Sequence, residues 1–282
     1  MAFSLKSLVP TTWRDDIPVV PVVRLAGMIG GGGGPLRSGL SLQRVEQALG
    51  RAFALKRAPA VALIVNSPGG SAAQSHLIFR RIRALAGENH KLVIAAVEDV
   101  AASGGYMIAA AADEIVVDNS SIVGSIGVVS AGFGFTGLIE RIGVERRVHT
   151  AGTSKAMLDP FRPEKAEDVA RLRLLQDAIH ADFIALVKSR RRGLVDDPDL
   201  YSGAFWSGAR AVELGLADRV GDLREVLREK FGEKVRAVPV PTEKNTLRRR
   251  LGLAAAAPRP AGIVEDVLAA VEERLMWDRF GL

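Results

Sequence analysis

The chain has 282 residues, 48% of them apolar and 25% charged, a balance that supplies a sizeable core and excludes an intrinsically disordered protein. Its net charge of +6 is spread over short clusters such as Arg80, Arg81, Arg83 and Lys188 to Arg192, and only 5% of residues are aromatic, so these clusters read as solvated helix faces and no nucleic-acid partner is expected. There is no cysteine, which excludes disulfides, thiolate catalysis and Cys-based metal sites, and the four histidines (His76, His90, His149, His180) lack metal-ligand spacing.

Residues 1–16 read as a polar N-terminal segment without the apolar stretch of a signal peptide. Ile17 to Leu25 is β-branched and predicts an opening strand interrupted by Pro21. The glycine run Gly30 to Gly34 then predicts a mobile loop. Leu40 to Lys56 has helical spacing, and Val61 to Val65 predicts a buried strand ending in Asn66-Ser67-Pro68-Gly69-Gly70. Ser71-Ala72-Ala73-Gln74 has capping-box form and opens a helix through Ile78, Ile82 and Leu85. A second buried strand, Leu92 to Val97, leads to Ala101-Ala102-Ser103-Gly104-Gly105 and a short helix to Ala112. Val100 to Ala112, the longest nearly apolar stretch, has 13 residues against the roughly 20 that span a bilayer. Further strands are predicted at Ile115 to Val117 and Ile126 to Val129. Helices follow over Glu164 to Arg192, Gly208 to Leu216 and Asp222 to Phe231, with a last strand at Val235 to Val240. Alternating strands and helices predict one α/β domain over residues 17–240 with largely parallel pairing. Residues 241–262 read as a linker, and 263–282 as an amphipathic helix carrying Met276, Trp277, Phe280 and Leu282. That helix is expected to dock on a neighbouring subunit, with packing back onto its own domain as the alternative; a membrane surface is the weaker one because its polar face is acidic.

Gly132-Phe133-Gly134-Phe135-Thr136-Gly137 fits a dinucleotide loop, but the helix after it is too brief to support that reading, and no cofactor is expected. Ser103 lies between a strand and a helix with small residues on both sides, which is the form of a nucleophile elbow and equally of a simple helix cap. The Asn66–Gly70 turn offers further backbone N–H groups, so the two turns together could hold an oxyanion. A serine nucleophile needs a base. The histidines lie in a polar turn or on helices, whereas Lys155 lies in small and apolar company, Ala151-Gly152-Thr153-Ser154-Lys155-Ala156-Met157-Leu158-Asp159-Pro160-Phe161. Burial against Met157, Leu158 and Phe161 would favour the neutral amine that a base requires; a surface lysine is the plainer alternative.

The stretches VNSPGGS, VAASGGYMIAAAADEIVVD, GSIGVV and AGTSKAMLDPF resemble the signal peptide peptidase A (protease IV) family of serine peptidases, and the similarity continues through FIALVKSRRR and SGAFWSGARAVELGLADRVGDL. The resemblance covers about residues 17 to 235. It implies the Clp-protease/crotonase fold, an α/β fold of repeated ββα units, with a helical C-terminal extension. It also implies a Ser-Lys dyad of Ser103 and Lys155, with Ser125 hydrogen-bonded to the lysine and the amides of Gly70 and Gly104 forming the oxyanion hole.

The activity so implied is endopeptidase cleavage of signal-peptide remnants or of unfolded or membrane-derived segments. Metal and organic cofactors have no part in it, and the enzyme is a homo-oligomer. Many members carry an N-terminal membrane anchor and none is read here, so the expected location is cytoplasmic or peripheral to the inner membrane, with peripheral membrane contact. Two rivals share the fold. Crotonase-type acyl-CoA chemistry would use Glu98 or Asp99 and leave Lys155 and Ser125 without a role, and a non-catalytic scaffold would leave all of them so.

Overall fold

The computed structural model describes residues 17–30, 39–242, 270–271 and 274–282. The expected N-terminal segment, the glycine run after Gly30 and the linker from residue 243 onward lie outside the described residues.

A mainly parallel sheet forms the centre. Its order is β6-β5-β3-β2-β1-β8, built from β1 (Val19–Ala26), β2 (Ala60–Ser67), β3 (Leu92–Ala102), β5 (Ile122–Gly124), β6 (Phe205–Ser207) and β8 (Arg236–Pro239). Two further strands, β4 (Glu114–Val117) and β7 (Arg219–Val220), extend from the edge of β3. All pairs are parallel except β5 with β6. The central strands are near-continuous runs of Val, Ile, Leu and Ala because both faces of the sheet are covered. Pro21 does not interrupt β1: the β1–β2 ladder begins one residue later, at Val22 opposite Ala62, so no bond to β2 is lost with its missing N–H.

One face of the sheet packs on α1 (Leu42–Phe53), α2 (Ala72–Asn89), α3 (Gly104–Ala109) and the C-terminal end of α5 (Ala166–Arg190), through Val45, Phe53, Ile78, Ile82, Ile108 and Val187. Val226 and Leu227 of α7 (Leu223–Phe231) cover the other face. The capping box of α2 forms only in part. Ser71 Oγ accepts from Gln74 N at 3.3 Å, but Gln74 Oε1 accepts from Leu42 N at 3.0 Å and so caps α1 instead. Tyr106 is fully buried and donates to Leu216 O at 2.8 Å; burial pushes its hydroxyl above the usual phenol range. Buried Arg191 holds Asp218 in a bidentate pair at 2.8 and 2.9 Å, and Asp218 accepts from Ile115 N at 2.6 Å, tying α5 to the start of β4.

One expectation is corrected. The predicted strand at Ile126 to Val129 lies instead at Ile122–Gly124, because positive φ at Gly124 (119°) and Ser125 (53°) turns the chain out of the sheet just there. At the C-terminus the last turn packs on the chain's own domain, while Val271 and Leu275 of the apolar stripe stay exposed. Phe280, 7% exposed, packs with Trp277 on Val100, Ala102 and Ile122, and its ring meets Phe205 edge-on at 5.1 Å. The apolar ends of β3, β5 and β6 are the surface that seats these two aromatic side chains.

Phe280→Ala removes a buried aromatic from this seat and is expected to lower the unfolding free energy by about 3 kcal/mol in urea titration. An unchanged midpoint would show that the seat contributes nothing to the domain.

Candidate active site

β3 ends at Ala102 and α3 starts at Gly104, so Ser103 makes the whole turn between them. Its backbone takes φ 52° and ψ −123°, a conformation costly for a side-chain-bearing residue and held only where neighbours impose it. They do so here: Ser103 N donates to Gly124 O at 2.8 Å, and Ser103 O accepts from Met107 N at 3.0 Å. The Ser103 hydroxyl has no hydrogen-bond partner among the described residues, and the residue is partly exposed.

The glycines around it are required by close approach. A Cβ on Gly69 would lie 2.8 Å from Ser103 Cβ, and one on Gly105 would lie 2.4 Å from Ser67 O. Pairing of Ser67 with Ala101 brings the Asn66–Gly70 turn alongside the serine. Ile29 then fixes the orientation of Gly70. Ile29 N donates to Gly69 O and Ile29 O accepts from Ser71 N, both at 2.8 Å. In this parallel bridge the N–H of Gly70 itself faces away from Ile29. Among the described residues the amides of Gly70 and Gly104 meet no acceptor. Gly104 is the first residue of α3, whose leading N–H groups have no partner inside the helix. The two turns thus present two unpaired donors beside one strained serine.

Ser125 belongs to the same place. Ala102 pairs with Gly124, so the residues that follow each, Ser103 and Ser125, leave the sheet side by side. Ser125 is buried, and its N–H donates to Ala204 O at 2.6 Å, in the turn before β6. Ile126 O, next along, is within 3.1 Å of His180 Nε2 on α5.

Lys155 is placed differently. The chain from residue 128 to 165 forms an arm outside the core, with one short helix, α4 (Thr136–Arg141). The arm is held by its own contacts. Phe135 N donates to Pro160 O at 2.6 Å, the Phe135 and Phe161 rings lie 5.4 Å apart, and Arg146 lies 4.7 Å above Phe161. Lys155 is exposed on it, and its ammonium meets neither serine nor any other partner among the described residues. Met157, Leu158 and Phe161 therefore do not bury it. The structure brings together Ser103, Ser125, Gly70 and Gly104, and leaves Lys155 apart from them. Asp99 accepts from Asn66 at 2.6 Å, and Glu98 pairs with Arg24 through Oε1 while its Oε2 is buried without a hydrogen-bond partner.

Sequence reasoning missed Ala204 and His180, which fix the Ser125 corner. Their roles come from a backbone carbonyl and a long-range contact, and neither leaves a local sequence signal.

The sequence profile of peptidase family S49 matches residues 86–235. Curated relatives include a protein of Brucella abortus named Na(+)/H(+) antiporter NhaA, 54% identical over 99% of this chain and 39% of its own length. They also include the chloroplastic serine protease SPPA of Arabidopsis thaliana, 34% identical over 77% of this chain and 32% of its own. Protease 4 of Haemophilus influenzae is 34% identical over 60% of this chain and 27% of its own. The chain thus spans about two fifths or less of the length of these relatives. Among the described residues no helix is long and apolar enough to cross a membrane. Among solved structures, a membrane-bound stomatin-specific protease in complex with a substrate peptide matches over 84% of this chain and 97% of its own, with a TM-score of 0.51 at 17% identity. That likeness shows the fold, consistent with the Clp-protease-like α/β architecture.

Asp159 reports on the order of the arm. Its carboxylate accepts from Phe161 N at 3.1 Å and faces Arg146 at 3.1 Å and Arg162 at 3.7 Å; the Phe161 N–H first, then the guanidinium groups, hold it below the usual aspartate range. A lowered carboxyl pKa stabilises the folded arm above the unfolded value of about 3.9 and ceases to as pH falls through the folded value. Amide exchange in residues 158–162, corrected for intrinsic rates, is expected to be protected at pH 6 and to lose protection below about pH 4. Constant protection down to pH 2 would contradict this.

Proposed function

The chain belongs to peptidase family S49, and on that premise we propose that it hydrolyses peptide bonds with Ser103 as nucleophile and Lys155 as general base, working as a homo-oligomer. The observation that carries this reading is the strained, unpartnered Ser103 flanked by the two unpaired amides of Gly70 and Gly104.

Ser103 Oγ attacks the carbonyl carbon of the scissile bond while the neutral Lys155 amine takes its proton. The negative charge that develops on the carbonyl oxygen is stabilised by the Gly70 and Gly104 N–H groups, which are fixed beforehand and need no reorganisation. The lysine returns the proton to the leaving amine, the C–N bond breaks, and an acyl-serine remains. Water, losing a proton to the same amine, then releases the acid and restores Ser103. Ser125, beside Ser103 at the same end of the sheet, orients the lysine amine through its hydroxyl. Signal-peptide remnants and unfolded or membrane-derived segments are the substrates that fit this reading.

The arm must bring Lys155 to Ser103, either by folding over its own domain or from a second copy. Support for the second copy comes from Val129, Phe133, Leu138, Ile142 and Val144, which are all exposed on the arm. Covering such surface is worth about 25 cal/mol per Å². The acyl-CoA alternative has less support because it leaves Lys155 and Ser125 without a role and Asp99 is committed to Asn66.

A fluorophosphonate is expected to label Ser103. Ser103→Ala and Lys155→Ala should each lower peptide turnover by about 10³-fold or more with the fold retained, since the two act as a unit. A folded Lys155→Ala variant with near wild-type turnover would exclude the dyad. Mixing the two inactive variants recovers activity if the lysine comes from a second copy, and none if each arm serves its own serine.

A further inference from the structure

A cavity of about 200 Å³ opens between α2, α3 and α5, one helical turn from the Ser103 site. Its floor and walls include Ala73 of α2, Met107 of α3 and Ile179 and Phe183 of α5. Ala73 lies in the first turn of α2, three residues after Gly70, and Met107 N donates to the carbonyl of Ser103 itself at 3.0 Å. The cavity is thus walled by the same two chain segments that carry the Gly70 amide and Ser103. The α5 wall is held in place relative to the site, because His180, next to Ile179, is bonded to Ile126 O beside Ser125.

The walls are small or apolar, and the polar groups stand at the rim. Asp182 and His76 both line the cavity and are exposed; His76 is stacked on Phe79 with ring centroids 6.2 Å apart. Among the described residues Asp182 forms no ion pair, and no lysine or arginine lines the cavity. An apolar slot with an unpaired carboxylate at its rim suits a long side chain with an aliphatic stem and a cationic tip. We propose that this cavity receives the side chain that precedes the scissile bond, and that Asp182 selects lysine or arginine there. The proposal rests on the peptidase reading given above and names the substrate class of that site.

Three fluorogenic peptides, identical except for Lys, Leu or Glu before the cleaved bond, test it with the full-length chain. The wild type is expected to favour Lys over Glu at least about tenfold in kcat/KM, the size of one charge-assisted contact. Asp182→Asn should lower the Lys rate about tenfold and leave the Leu rate unchanged, and Asp182→Lys should reverse the preference toward Glu. Ala73→Leu, which fills the slot, should slow both the Lys and Leu peptides while fluorophosphonate labelling of Ser103 stays at the wild-type rate. If the Lys:Glu ratio does not respond to Asp182, or Ala73→Leu leaves all three rates unchanged, the assignment is overturned while the peptidase reading stands. If Ser103 is not labelled and no peptide is cut, the peptidase reading fails and this assignment falls with it.

Discussion

Everything at the site depends on how strand β3 is held. Along one edge it pairs with β2 from Leu92 to Ala101, and along the other it has two successive partners, β4 at Ile94–Ala96 and β5 at Val100–Ala102. The change of partner extends β3 past the end of β4, so that its tip projects between the Asn66–Gly70 turn on one side and the Gly124–Ser125 corner on the other. Hydrogen bonds to Gly124 on one side and from Met107 of α3 then impose on Ser103 a backbone conformation that an isolated serine would avoid. The strain is local, and the sheet that maintains it is among the most deeply buried parts of the chain.

The fold was largely legible because its central strands are long apolar runs and its helices have clear periodicity. VALIV and LVIAAV could be nothing but buried strands once flanking turns were recognised, although β3 continues five residues beyond the predicted end at Val97. β5, β6 and β7 were unreadable for a physical reason. Each has three residues or fewer, and its pairing comes from neighbours distant in sequence and not from its own side chains. Of the site, the serine and the glycines could be read because sharp turns and close backbone approach restrict residue type. The position of Lys155 could not. Small and apolar neighbours in sequence do not bury a lysine when the segment they belong to stands off the core.

That separation joins two features that otherwise have no connection. The arm exposes Phe133 at 76% and Val129 at 71%, and Leu174 on the adjoining half of α5 at 71%. The part of α5 that packs on the core, by contrast, is its C-terminal end, through Phe183, Ile184, Leu186 and Val187. One continuous helix therefore carries a buried end, which forms a wall beside the serine, and an outer end continuous with the arm that bears the lysine.

The partner of the Ser125 corner is Ala204, with Phe205 pairing to Gly124 just after it. Both lie far downstream of the serines they help to fix. During synthesis the strands β1 to β4 and the first three helices can assemble by short-range connections while that support is still unmade. The Ser125 corner cannot close until the segment around residue 205 has emerged. A ribosome-bound chain would thus carry Ser103 and Ser125 in an unfinished setting until about a hundred further residues had been made, after most of the sheet is already in place.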